Sequence, residues 1–102
     1  MKTKKSVKKE RHVIVRTYSA GVFFGILVSR KGQEVVMKNA RRIWYWKGAA
    51  SLSQLAMEGT KCPSECKFPC AVSRVELTQA IEILDTTPTA RKSLEGVSIW
   101  SM

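Results

Sequence analysis

The 102-residue chain has one histidine, three cysteines, three prolines and only eight acidic residues against eighteen lysines and arginines. Each shortage narrows what it can do. His12, the lone histidine, is accompanied by no Ser-His-Asp order, no paired carboxylates in a Gly-rich setting, no phosphate loop and no dinucleotide fingerprint. The expectation is a protein that binds rather than an enzyme. Cys62, Cys66 and Cys70 are odd in number and confined to one short loop, unlike a secreted disulfide framework. Their spacing is longer than a zinc knuckle, and a tetrahedral site would need a fourth ligand. His12 is geometrically open to that role, but nothing in the sequence asks for it. Metal and cofactor are therefore disfavoured, and buried or incidental cysteines are favoured. No stretch approaches the ~20 apolar residues of a membrane span, and the basic start lacks the apolar segment of a secretory signal. The expectation is no membrane partner and a cytoplasmic location.

The shortage of acids leaves a net charge of +10. That points to an anionic partner and says nothing about fold. Part of it is terminal, because Lys2, Lys4, Lys5, Lys8, Lys9 and Arg11 are opposed only by Glu10. Residues 1–11 are expected to form a basic, disordered arm, and residues 12–102 a single domain.

What is abundant lies at the centre, in Ala40–Leu55, ARRIWYWKGAASLSQL. Arg41 and Arg42 lead into Ile43-Trp44-Tyr45-Trp46. Read as a strand, this run puts Trp44 and Trp46 on one face and Ile43 and Tyr45 on the other. Ser51 and Gln54 then have the spacing of a capping box. Cations, flat rings and a helix start within so short a stretch are the parts of an anion or nucleotide site, and equally of an ordinary strand-to-helix corner.

Around this centre, alternation predicts a first strand over His12–Tyr18, with Val13, Val15 and Thr17 on one face. Ser19–Gly21 is a turn. A second strand covers Val22–Val28, where Gly25 suggests a bulge or a close approach. Glu34–Met37 resumes the sheet and Lys38–Ala40 breaks it. A helix over Leu52 to about Glu58 ends at Gly59. Strand character returns over Val72–Leu84. Thr87-Pro88 starts a second helix that stops at Gly96, and Val97–Trp100 is a final short strand. The fold class is α+β: an antiparallel sheet of about five to six strands with two short helices.

Arg16, Arg41, Arg42, Arg74 and Arg91 fall inside or beside these elements, where a guanidinium fork can be held for phosphate. Tyr18, Trp44, Trp46, Phe68 and Trp100 offer faces for a base. At least two of the three tryptophans are expected inside, since so small a chain needs them for its core.

The strings RTYSAG and RRIWYWKGAASLSQLA, with the cysteine-bearing loop after them, resemble the first Thoeris anti-defence family of phage proteins, over Val13 to Trp100. The resemblance implies a protein of the host cytoplasm that binds a cyclic ADP-ribose isomer made by TIR-domain enzymes. It would sequester this signal without cleaving it, and some members also hold cyclic oligonucleotides. It implies a homo-oligomer, with dimers assembling into a hexamer. For such a ligand, residue type and rough position assign pyrophosphate contact to Arg16 and Arg91, adenine stacking to Phe68 and polar contact to Thr78. Tyr18 belongs with these ligand residues, and Arg41 or Arg42 would serve a second anion site. Two other readings stay open: a basic nucleic-acid-binding module and a phage inhibitor that caps a host protein. The first is disfavoured because no recognised nucleic-acid-binding signature is present.

Overall fold

The structure, a computed structural model, describes residues 10–101. Most of the expected arm, residues 1–9, lies outside the described residues. Its last two positions already belong to the fold, since Arg11 opens β1 (Arg11–Thr17) and Glu10 pairs with Lys38 at 2.9 Å. β2 (Val22–Lys31) and β3 (Glu34–Arg42) follow, then α1 (Leu52–Glu58), β4 (Val72–Leu77), β5 (Ala80–Asp85) and α2 (Pro88–Glu95). The sheet is antiparallel throughout its described pairings and has the order β4-β3-β2-β1-β5. The α+β class and two short helices are as the sequence implies.

One topological fact gives the sheet its shape. β4 and β5 are consecutive and separated by only Thr78 and Gln79, yet they occupy opposite edges. Three peptide steps span at most about 10 Å, so the two edges must curl towards each other. Hydrogen bonds close the curl, with the Ala80 amide donating to Gln33 O at 3.0 Å and the Tyr18 amide to Gln79 O at 2.9 Å.

Alternation along the strands then fills two cores. Val13, Val15, Phe23, Val35, Met37, Ala40 and Leu77 pack inside the curl. Ile14 and Phe24, of opposite parity, face the helices with Leu55, Ala56, Phe68, Leu94 and Val97. Gly25 marks the close approach that its place in a strand suggests. A Cβ there would stand 2.8 Å from Ala40 Cα, closer than packed atoms come, so only glycine lets β2 meet β3 at this point.

Several boundaries differ from expectation: β2 runs on past Val28 to Lys31, and the stretch Val72–Leu84 is divided at Thr78-Gln79 into β4 and β5. Lys38–Ala40 does not break the sheet. Asn39 takes φ 50 and the register shifts there, so the polar run is a bulge inside a continuous β3. Ile43–Trp46 is not a full strand, since its described pairing is one bridge, Tyr45 to Lys67. The expected last strand is likewise a single bridge, Ile99 to Phe68. Both helices are capped as read. Ser51 Oγ accepts from the Gln54 amide at 3.1 Å and Thr87 Oγ1 from the Ala90 amide at 3.0 Å. Gln54 Oε1 reaches the Ala50 amide, one residue before the position a capping box would use.

Candidate functional site

The bulge and the aromatic run after it divide the two central arginines. Arg41 turns towards the helices and is 9% exposed. Its guanidinium donates to five backbone carbonyls: Phe68 at 2.8 Å, Val97 at 2.7 Å, Pro69 at 3.1 Å, Ser98 at 3.3 Å and Leu94 at 3.4 Å. Burial pushes it down from the ordinary arginine value, and the nearby Cys70 opposes that. Arg41 is thus a clamp joining the cysteine loop to the chain after α2. All its donors are engaged, which removes it from the expected anion site.

Phe68 is corrected for the same reason. Its side chain is fully buried in the helix-facing core, with Arg41 Cζ 5.3 Å from the ring centroid. In this chain neither ring face is open to an adenine.

Arg42 has the opposite fate. Its Cζ lies 4.6 Å from the Phe23 ring centroid, and it has no carboxylate partner among the described residues. It lines a cleft of about 390 Å³ with Trp44 and Trp46, closed on the far side by the Ser19–Val22 turn. Trp44 and Trp46 share this cleft, as their parity implies. Trp46 is half-buried against the helix-facing core, its Nε1 donating to Ala49 O at 3.3 Å. Trp44 is 63% exposed.

Local chemistry makes this exposed ring rigid. The Trp44 amide donates to Lys67 O at 3.1 Å, and the Lys67 amide to Tyr45 O at 2.8 Å. One face of Trp44 stacks on Trp100, with planes 6° apart and centroids 6.3 Å apart. Trp100 is anchored through its own amide to Phe68 O at 2.9 Å. Beneath the run, Gly48 at φ 91 touches the backbone of the cysteine loop, where a Cβ would stand 2.5 Å from Cys62 N. Thr60 Oγ1 bonds the Lys47 carbonyl there and accepts from the Cys62 amide. Lys67 Nζ lies over the Tyr45 and Trp100 rings at 5.9 and 5.6 Å and has no acid partner among the described residues. Lys47, by contrast, is held by Glu65 at 3.1 Å, which also raises it above the ordinary lysine value.

The other expected residues do not converge on this cleft. Tyr18, 74% exposed, lies across the turn beside Gln33, Gln79 and Ile81. Thr78 sits in the β4–β5 turn, one residue before Gln79, whose carbonyl accepts from the Tyr18 amide. Arg16 is engaged by Glu82 at 2.9 Å. Arg91 is on α2, held by Glu95 at 3.0 Å, in a polar cleft with Glu10 and His12. Arg74 pairs with Glu76 at 2.5 Å. His12 lies 3.8 Å from Glu95 on the side of the sheet that carries α2, and Cys66 is buried by the Thr60 turn. Among the described residues no group of three or more His, Cys, Asp or Glu is arranged to hold a metal. The importance of Trp44 and Trp100 as one stacked pair was not legible, since the two are far apart in sequence.

A curled antiparallel sheet carrying two helices, with a cationic aromatic cleft at one end, places this chain among small α+β proteins. The chain belongs to the family described as a domain of unknown function, DUF6948, whose profile matches residues 10–94. No curated protein and no solved structure matches it. Among the described residues, no helix is long and apolar enough to cross a membrane.

Proposed function

We propose that this protein is a sponge for an anionic nucleotide and, on the resemblance of RTYSAG and RRIWYWKGAASLSQLA, that its ligand is a TIR-derived cyclic ADP-ribose isomer. It holds the signal without cleaving it and so keeps Thoeris immunity silent in the cytoplasm of a phage-infected cell. One observation supports this best. The free guanidinium of Arg42 and an exposed, rigidly backed indole face on Trp44 share a cleft with no carboxylate in its wall. A pyrophosphate between two riboses and a base asks for that combination, a fork for oxygen and a ring for stacking. Adenine stacking passes from the buried Phe68 to Trp44.

Arg16 and Arg91 remain available for pyrophosphate, because exposed ion pairs such as theirs are worth only about 0–1 kcal/mol and yield to a more highly charged ligand. A cleft of about 390 Å³ is small for enclosing a whole dinucleotide. A second copy completing the pocket is the natural remedy, and homo-oligomerisation is part of the proposal.

The test is to titrate the full chain with cyclic ADP-ribose isomers made by a TIR enzyme, then denature the complex and identify what is released. Tight binding with intact ligand supports the sponge. A changed product makes the protein an enzyme. No binding, with affinity for single-stranded DNA that falls steeply as salt rises, transfers the cleft to nucleic acid.

A further inference from the structure

A more capacious cavity than the tryptophan cleft lies elsewhere, at the open mouth of the curled sheet. It measures about 630 Å³ and lies between β5 and the tip of the β2–β3 hairpin. Two arginines line it. Arg11 stands opposite Leu27 and Arg30 opposite Val35, and both of those partners belong to the packing inside the curl. Both side chains therefore spring from the inner side of the sheet, and both line this cavity.

Their partners differ. The Arg11 fork is occupied by Asp85, with Nε to Oδ1 at 2.7 Å and Nη2 to Oδ2 at 3.3 Å. Arg30 has no carboxylate among the described residues, and its one described bond is from Nη1 to Gly32 O at 3.1 Å. Glu82, also on the wall, is already neutralised by Arg16. In a chain of net charge +10, an unmatched guanidinium at a cavity mouth adds repulsion unless an anion sits there.

We propose that this mouth binds a phosphate group, at a site separate from the Arg42–Trp44 cleft and independent of the reading given to that cleft. A planar carboxylate is satisfied by one fork, as Asp85 shows on Arg11. A tetrahedral phosphate points its oxygens in several directions, so one can bind Arg30 while another competes with Asp85 for Arg11. Gln33 supplies a neutral amide at the hairpin tip, where no side-chain bond occupies it among the described contacts. Ile81, 45% exposed, and Ile83 form an apolar shelf beside the arginines. The ligand class is a phosphate monoester with a small organic body resting on that shelf.

The experiment follows the arginine Nε–Hε resonances of the full chain while inorganic phosphate and ribose 5-phosphate are added separately at constant ionic strength. Saturable shifts are expected at Arg11 and Arg30, with the Trp44 and Trp46 indole signals unmoved. Tighter binding of ribose 5-phosphate than of inorganic phosphate assigns the shelf a role, and equal binding makes the free anion the ligand. Arg30→Ala, at an exposed position, should weaken binding at least tenfold. Asp85→Asn should tighten it severalfold by freeing the Arg11 fork. The proposal is overturned if the shifts are linear, if they spread equally over Arg42, Arg74 and Arg91, or if Arg30→Ala binds as the parent does.

Discussion

Arg41 lies over the ring of Phe68 while donating to the carbonyl of the same residue, so one side chain grips both the ring and the backbone of its neighbour. The same guanidinium reaches Leu94, Val97 and Ser98, which ties the chain after α2 to the loop before β4. Among the described residues no carboxylate balances it. Its charge is met by carbonyl dipoles and the Phe68 ring, and removing it strands several carbonyls away from water.

Arg41→Met is therefore expected to destabilise the fold by at least about 1–3 kcal/mol, the cost of leaving a buried carbonyl unsatisfied, since it strands several at once. Arg41→Lys retains the charge but offers three donors where five carbonyls wait, and falls between the two. Phe68→Ala empties a fully buried aromatic site and should lose about 3–5 kcal/mol. Because the two side chains touch, the double variant should depart from additivity by about 0.5–3 kcal/mol. Urea unfolding midpoints measure all four. An Arg41→Met variant within about 0.5 kcal/mol of the parent would show the clamp to be ornamental.

How much of this could be read beforehand depends on the range of the interaction concerned. The parity of Val13, Ile14 and Val15, the Ser51 and Thr87 caps and the tight place of Gly25 are local matters, and all were legible. Arg41 and Arg42 were not separable. They are adjacent and chemically identical, and what divides them is the bulge at Asn39, which decides which of them enters the helix-facing core. Phe68 looked like a loop aromatic free to stack. Its burial depends on Ile14, Leu55 and Leu94, which come from three other elements. The arginine-lined mouth was missed because Arg11 seemed part of the arm and Arg30 lay beyond the expected end of the second strand at Val28. Only the curling of the sheet brings them together.

Trp44 and Trp46 should separate stability from binding. Trp44 is exposed and touches Trp100 on one face, so Trp44→Ala should change stability by no more than about 1.5 kcal/mol. It should weaken nucleotide affinity by about 1–3 kcal/mol, roughly 5- to 150-fold, if a base stacks there. Trp46 is wedged against the core, and its replacement by Ala should lower stability by about 3 kcal/mol before any effect on ligand. Thermal melts beside titration calorimetry distinguish the two. A Trp44→Ala variant of full affinity removes the stacking role.

The arginines offer a sharper contrast. Among the described residues Arg42 has no acid partner, so Arg42→Ala should cost about 1 kcal/mol or less, the worth of its contact with the Phe23 ring. Losing its charge-assisted bonds to phosphate should reduce affinity by about 1.5–3 kcal/mol. Arg16→Ala and Arg91→Ala break exposed pairs and should also be mild in stability, within about 1 kcal/mol. If Arg42→Ala binds normally while Arg91→Ala does not, the ligand lies in the polar cleft beside α2 and not under Trp44.

Acid should expose the Arg11–Asp85 pair. The hydrogen bond from Arg11, with its charge, holds the Asp85 carboxyl below the ordinary value of 3.8, against a smaller opposing effect of burial. A carboxyl depressed in the folded state contributes stability above its unfolded value, and that contribution is lost as pH falls through the folded one. Both partners are more than half exposed, so solvent screening limits the contribution to about 1 kcal/mol or less. The stability difference between the parent and Arg11→Met should therefore be flat from about pH 8 to pH 5 and shrink below about pH 4. Glu10, depressed by its bond to Lys38, gives the same sign in both proteins and cancels in the difference. Denaturant midpoints measured across that range test the point. A difference that persists unchanged at about pH 2 would mean that Arg11 acts through its packing against the sheet and not through Asp85.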